Sequence, residues 1–496
     1  MVPELFASVQ RWFVRLQAPA RLTRSSIRTA YALAVTVDVA QFLLGPFGWA
    51  GVDELLDAAA MVAMTRLLGF HPLFLPTFVL EFVPFTDMLP TWTGCVMLVV
   101  RARRRQGYVS DDSGPALDVK ASRIECILLG ALLLSTGLSA QARVGVTRAD
   151  WGTTARGEKV EIFTLTGTGG LEARISNFGG VIVALNVPNG NGSKTDVMLG
   201  YDDLASYEQG GVYGAVIGRY ANRIGRNGTF PLNGRTIQLE RGSPDQKIVI
   251  HGGTAGFQKK VWHAEMRDGP EPSLTLTVVS PDGDGGFPGA LTTTLVYTVT
   301  RENALTLDYR ATSNRPTVVN LTNHAYFALQ GEGNGDVSDQ RLQVFADRYT
   351  PSSADNLPTG EMASVTGTPL DFRKPVRLGD ILDSRFEQIG LRRGLDINMI
   401  VNGTPGVLRP AARISDPKTG IVMEVSTTQP GMQLYSDNVT RTVTGKGGKP
   451  YGNRYAMSFE TQHYPDSPNR PEFPSTVVTP STPLHEVTVY RFSTGQ

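Results

Sequence analysis

The chain has 496 residues, of which 47 are Lys or Arg and 46 are Asp or Glu, and its formal net charge is +1. This length exceeds what one hydrophobic core usually serves, so two or three structural units are expected. The balanced charge, without an arginine-rich or aromatic-interleaved basic stripe beyond Gly152, excludes nucleic acid as the expected partner. The partner is expected to be a small neutral molecule.

Residues 1–115 predict an apolar, helical, membrane-associated extension. A run of arginines from Arg11 to Arg28 precedes the apolar stretch 31–50, and such a basic flank favours a cytoplasmic N terminus if the stretch inserts. A second apolar region, 72–100, is interrupted by prolines and acidic residues and ends at an arginine cluster, which predicts a hairpin in the membrane. The alternative is a small buried helical domain, because carboxylates within the apolar stretches are costly in lipid.

Residues 116–150 predict a linker that contains a signal-peptide-like segment. Lys120 to Arg123 form a basic start, an apolar run follows from Cys126 to Leu138, and small residues lie at 139–142. As an export signal, this segment places the rest of the chain in the periplasm, or anchored to the membrane and facing the periplasm. As a buried helix, it leaves the rest of the chain cytoplasmic.

Residues 151–496 predict a large antiparallel β domain, because short β-branched runs alternate with Gly, Asn, Asp and Pro. The segment Ala304–Thr312 alternates apolar and polar residues as a half-buried strand does, and Asn233-Gly234 predicts a tight hairpin turn. Neither cysteine falls in this region, which excludes a disulfide framework or a cysteine metal site there. The six histidines include no H-x-x-x-H pair, so no metal site is predicted.

Four segments of the β domain contain candidate site residues. His324 lies between polar residues and aromatics in Asn320–Phe327, and Glu460 follows an apolar run at a predicted strand end. Either residue alone is more often structural, and a catalytic role requires that the two face each other. Gly218–Ile224 combines arginines with an amide, which suits the vicinal hydroxyls of a sugar. In His251-Gly252-Gly253 the glycines allow a ligand to approach the backbone, although a plain turn is the alternative.

These segments, in this order, resemble the aldose 1-epimerase (galactose mutarotase) family from about Thr164 to Phe492. Further matching segments are His251–Gly253 with Val261-Trp262, Ser280–Gly283 with Phe287–Gly289, Gly367–Phe372, Gly394–Asp396, Thr427–Tyr435 with Asn438, and Glu460–Asp466. The resemblance implies a galactose-mutarotase-like β-supersandwich of large antiparallel sheets, without a metal or organic cofactor. It implies that His324 is the general acid and Glu460 the general base. The residues expected to hold the sugar hydroxyls are Asn222, Arg223, His251, Tyr326, Asp396 and Gln433.

The implied reaction interconverts the α and β anomers of a free hexose such as glucose or galactose. From ordinary pKa values of roughly 4.3 for Glu and 6.5 for His, Glu460 is expected to be ionised at neutral pH and His324 to be poised to donate a proton. The alternatives are a non-catalytic carbohydrate-binding module and an epimerase of phosphorylated hexoses. The chain departs from the family pattern at Ser243–Ile250, which predicts a reshaped cleft wall near His251. The preferred aldose and the oligomeric state stay open.

Overall fold

The structure is a computed structural model that describes residues 27–36, 63, 96, 100, 144–189 and 193–495. The chain divides into two compact units, Met1–Thr136 and Gly137–Gln496. In the first unit, residues 27–36 form a helix. In the part of the chain that the structure describes, no helix is both long and apolar enough to cross a membrane. The rest of the predicted extension and the signal-peptide-like segment lie outside the described residues.

The second unit is built from short and medium strands. In chain order they are β1 (Gly145–Thr153), β2 (Lys159–Thr166), β3 (Glu172–Ser176), β4 (Ile182–Pro188), β5 (Lys194–Asp196), β6 (Val216–Ile217), β7 (Arg223–Ile224), β8 (Thr229–Leu232), β9 (Arg235–Gln238), β10 (Val249–Ile250), β11 (His263–Arg267), β12 (Ser273–Ser280), β13 (Leu291–Val299), β14 (Ala304–Ser313), β15 (Thr317–Val318), β16 (Thr322–Asn323), β17 (Tyr326–Phe327), β18 (Arg341–Val344), β19 (Arg348–Thr350), β20 (Ala363–Ser364), β21 (Val376–Arg377), β22 (Asp396–Ile400), β23 (Arg409–Ser415), β24 (Ile421–Thr427), β25 (Gly431–Tyr435), β26 (Val443–Thr444), β27 (Pro450–Tyr451), β28 (Met457–Gln462), β29 (Val477–Val478) and β30 (Leu484–Thr494). Two short helices of this unit are α1 (Leu204–Glu208) and α2 (Glu387–Gly390).

Three antiparallel sheets form the body of this unit. The five-stranded sheet has the order β1-β2-β3-β4-β5, and the nine-stranded sheet has the order β11-β12-β13-β14-β30-β24-β23-β18-β21. The six-stranded sheet has the order β17-β28-β25-β22-β19-β20. The predicted all-β class with large antiparallel sheets is therefore confirmed. The predicted Asn-Gly turn joins β8 to β9, with both Asn233 and Gly234 at positive φ, as a type I′ turn requires.

Strand alternation explains the core. In β13, residues at alternate positions are buried from Leu291 to Val299, and their β14 partners alternate in the same way. Phe327 of β17 and Phe459 of β28 join the six-stranded sheet to the nine-stranded sheet, because Phe327 packs with its ring centroid 4.9 Å from that of Tyr490 on β30. A packed aromatic layer thus fixes the strands whose opposite face forms the site.

Candidate active site

One face of the six-stranded sheet presents a row of polar side chains. Glu460 on β28 lies opposite Gln433 on β25, and the adjacent row pairs Tyr435 of β25 with Asp396 of β22. Alternation sends Phe459 to the core and Glu460 to the other face, where it is 2% exposed. The prediction of a strand end was wrong, because Glu460 lies inside β28. The position of the Glu460 carboxyl is therefore set by a paired strand and not by a loop.

His324 lies between β16 and β17 and is tied down through its backbone. Its N–H donates to the Ala215 carbonyl at 2.8 Å, and its own carbonyl accepts from the Gly214 N–H at 2.9 Å. The imidazole stacks on Tyr326, with ring centroids 4.8 Å apart and an interplanar angle of 9°. Nε2 of His324 lies 3.4 Å from Oε1 of Glu460. The two predicted proton-transfer groups therefore face each other, and both are buried.

His251 completes the imidazole side of the site, with its ring centroid 5.3 Å from that of His324. Its Nδ1 accepts the Asn222 N–H at 3.3 Å, so the neutral ring has its proton on Nε2 and donates from that atom. The glycine that follows serves the backbone itself: a Cβ at Gly252, which has φ of +77°, would collide with the Gly218 carbonyl. The absence of a side chain at Gly252 therefore lets two backbone segments approach each other closely.

Asp396 is held by three side chains. Its Oδ2 accepts from Arg223 Nη2 at 3.1 Å and from Asn356 Nδ2 at 2.8 Å, and its Oδ1 accepts from Gln433 Nε2 at 2.6 Å. Burial pushes the pKa of Asp396 up, but Arg223 and the two amides outweigh it, and the pKa is lowered from its ordinary value. Asp396 is therefore an ionised acceptor.

A cavity of about 270 Å³ collects most of the predicted residues. Seven of the eight predicted site residues line it, and Gln433 instead lies behind Asp396. The lining of the cavity also includes Tyr435, Val212 and Ile250, which were not predicted as site residues. Strand alternation could have predicted Tyr435, because residues two apart in a strand lie on the same face and Gln433 was already predicted to be in the site. Ile250 comes from the end of the segment in which a changed cleft wall was predicted.

Burial favours the neutral forms of both predicted proton-transfer groups. It raises the pKa of Glu460 to about 8, with nearby Asp396 raising it further and Arg223 opposing. Burial lowers the pKa of His324 to about 4, against the opposing influence of Asp396. The expectation that Glu460 is ionised at neutral pH is therefore wrong, because the ordinary pKa values assume solvation that burial removes.

Three side chains of the site are of types that can ligate a metal ion. One potential ligand atom from each of His251, His324 and Glu460 lies within 4.8 Å of the others. A metal-ligating histidine normally donates its second N–H to an acceptor, which leaves the ligating nitrogen unprotonated. His251 has the opposite arrangement, because its Nδ1 accepts from a backbone N–H. The trio therefore suits hydrogen bonding to a ligand better than coordination of a cation.

Comparisons with known proteins agree with this architecture. The sequence profile of the family described as aldose 1-epimerase matches residues 161–491. The chain belongs to the aldose 1-epimerase family. It is 38% identical over 353 residues to a galactose mutarotase from Bos taurus, covering 71% of this chain and 99% of that protein. It is 32% identical over 340 residues to an aldose 1-epimerase from Escherichia coli K12, covering 68% of this chain and 96% of that protein.

Solved structures of the family show the same fold. The galactose 1-epimerase from Lactobacillus acidophilus is 28% identical, with a TM-score of 0.63 and coverage of 71% of this chain and 100% of that one. An aldose epimerase homologue from C. elegans is also 28% identical, with a TM-score of 0.61 and coverage of 67% and 98%. The resemblance inferred from ordered motifs is thereby confirmed.

Proposed function

We propose that this chain is an isomerase that interconverts the α and β anomers of a free aldohexose, such as glucose or galactose, with His324 and Glu460 as the proton-transfer pair. The observation that carries the proposal is the 3.4 Å separation of His324 Nε2 and Glu460 Oε1 at a cavity large enough for a hexose ring. Family membership supports the same reaction.

Opening a hemiacetal ring requires two proton transfers. Glu460 takes the proton of the C1 hydroxyl and His324 gives a proton to the ring oxygen, while the C1–O5 bond breaks and a carbonyl forms at C1. Rotation about C1–C2 and closure on the other face, with both transfers reversed, give the opposite anomer. No redox partner is needed, and the equilibrium between anomers is unchanged.

Once Glu460 is ionised and His324 is protonated, the electrostatics of the site favour ring opening. A raised pKa makes the Glu460 carboxylate a stronger base, and a lowered pKa makes the His324 imidazolium a stronger acid. Ring opening converts the ionic pair to a neutral pair, which is the form that the buried site stabilises. At neutral pH the one proton that the two groups share resides on Glu460, so it must transfer to His324, 3.4 Å away, before ring opening.

The polar groups of the cavity suit an uncharged sugar. Of the ten described residues that line the cavity, Arg223 is the only permanent cation, and it donates to Asn222 at 2.8 Å and to Asp396 at 3.1 Å. The ionised carboxylate of Asp396 lines the same space and would repel a phosphate. This distribution disfavours phosphorylated hexoses. A non-catalytic binding module would have no use for a buried acid and base that face each other.

The proposal extends to location. The basic flank at Lys120–Arg123, the apolar run to Leu138 and the small residues that follow support export of the β domain, and residues 1–115 support membrane association. A reporter that is active only outside the cytoplasm, fused after Gly152, is expected to be active. An inactive reporter in an intact fusion protein would contradict export and favour a cytoplasmic enzyme.

Polarimetry of freshly dissolved α-D-glucose and α-D-galactose tests the activity. With the full-length chain, optical rotation is expected to relax faster than in buffer, and Glu460→Gln is the matched inactive control. If sugars bind but relaxation is unchanged for every common aldose, the binding-module alternative is correct.

A further inference from the structure

Asp396 has a hydrogen-bonding partner that the sequence pattern did not indicate. Asn356, which follows β19 by six residues, donates to Asp396 Oδ2 at 2.8 Å. That oxygen also accepts from Arg223. A carboxylate oxygen has two lone pairs, so both acceptor positions of Oδ2 are taken by protein donors.

The other oxygen of Asp396 accepts fewer hydrogen bonds from the protein. Oδ1 accepts one hydrogen bond, from Gln433 Nε2 at 2.6 Å, so one acceptor position is left for a ligand. Asp396 lines the cavity together with Arg223 and His324. Through Asn356 and Gln433, the carboxylate thus offers a sugar one acceptor direction instead of two or more.

The segment that presents Asn356 is itself anchored. This Asn356 turn, Ser352–Pro358, is closed by a bridge between its end residues and has Asn356 in the left-handed region at φ +60°. Arg392 donates to the Ser353 carbonyl at 2.6 Å and to the Ala354 carbonyl at 3.3 Å. The carboxamide of Gln388, in α2, accepts from the Ser352 N–H at 2.7 Å and donates to its carbonyl at 3.1 Å. The turn is therefore anchored by two residues that do not line the cavity.

We propose that Asn356 is a positioning residue that determines sugar selectivity, by blocking Asp396 Oδ2 and leaving Oδ1 as the single acceptor for one sugar hydroxyl. This proposal rests on the proposed function. Aldoses that differ in configuration at one carbon direct that hydroxyl differently, so a single acceptor direction discriminates between them. Asn356 acts through Asp396 and is not itself a catalytic residue.

The test compares Asn356→Gly with Asn233→Gly in the full-length chain. Glycine accepts the left-handed backbone at both positions, and Asn233 lies in an exposed hairpin turn, so the control reproduces the backbone change away from the cavity. Calorimetric Kd values and polarimetric kcat and KM are measured for D-glucose, D-galactose and D-mannose. Asn356→Gly is expected to raise Kd and KM for the preferred sugar by about 3- to 10-fold, with kcat within about twofold. The Kd values for the three sugars should become more similar to one another.

Asn356→Asp is the second variant, because Asp also tolerates the left-handed backbone and sets a like charge against Asp396. It should weaken sugar binding more than Asn356→Gly does. Unchanged Kd values in both variants, or a fall in kcat with unchanged KM, would overturn the proposal. If the wild-type chain binds sugars without accelerating mutarotation, the proposed function fails, but the calorimetric comparison still decides the role of Asn356.

Discussion

Gln433 and Glu460 are direct cross-strand partners on β25 and β28, and the Gln433 amide donates to Asp396 at 2.6 Å. The carboxyl proposed for proton transfer and the carboxylate proposed to accept sugar hydroxyls are thus linked through one residue of the sheet. Strand register fixes the spacing of the two carboxyls in the cavity. Their pKa values are shifted in opposite directions. Arg223 stabilises the ionised form of Asp396, whereas burial stabilises the protonated form of Glu460.

Replacing either proton-transfer group is expected to affect turnover far more than binding. Glu460→Gln keeps the shape and removes the base, and His324→Asn removes the acid, so each should lower kcat by about 10²- to 10⁴-fold with little change in KM. The decrease in kcat of the double variant should be much smaller than the product of the two single decreases, because both proton transfers belong to one reaction. Polarimetric kcat and KM values check this. Near-normal turnover in a folded Glu460→Gln variant would make Asp396 the next candidate base.

The rate should depend on pH through the proton count of the pair. Below about pH 4 both His324 and Glu460 hold a proton and no base remains, and above about pH 8 neither holds one and no acid remains. A plot of kcat/KM against pH is therefore expected to be bell-shaped, with limbs near these values. The spontaneous rate must be subtracted at each pH, since acid and base accelerate mutarotation in water. A single limb near pH 4.3 would indicate a solvated Glu460 and contradict the buried pair.

Local pattern was sufficient for some parts of the site and insufficient for others. Ordered motifs led to His324 and Glu460 because the surrounding residues are close in sequence. Asn356 was missed because its partner Asp396 is 40 residues away and an Asn in a Ser- and Asp-rich turn is usually just a turn residue. The pKa values of His324 and Glu460 could not be predicted from the sequence either, because their desolvation results from the packing of strands that are distant in the chain.

Arg223→Ala is expected to weaken sugar binding and to leave the partly buried Asp396 without its cation. Loss of a hydrogen bond to a charged group is worth about 1.5–3 kcal/mol, so KM should rise by roughly 10- to 100-fold. The matched control is Arg373→Ala, which removes an exposed arginine that pairs with Asp371 and does not line the cavity. Equal KM values for the two variants would show that Arg223 does not contribute to sugar binding.

Asp437 provides a test of stability that does not involve the proton-transfer pair. It is fully buried, and burial raises its pKa to about 7 although the Tyr455 backbone opposes this rise. Because the folded-state pKa exceeds the ordinary value, the folded state binds more protons than the unfolded state between about pH 4 and pH 7. The stability gained from this extra protonation is fully present below the unfolded pKa and is lost as pH rises through about 7.

Asp437→Asn removes this ionisation and keeps a residue that tolerates the local φ of +49°. The variant should therefore be more stable than the wild-type chain at pH 8.5, by on the order of a few kcal/mol, and the difference should shrink toward pH 5. Urea unfolding at both pH values measures it, and the exposed Asp245→Asn is the control. A stability difference that stays constant across this pH range would show that Asp437 ionises as readily in the folded chain as in the unfolded one.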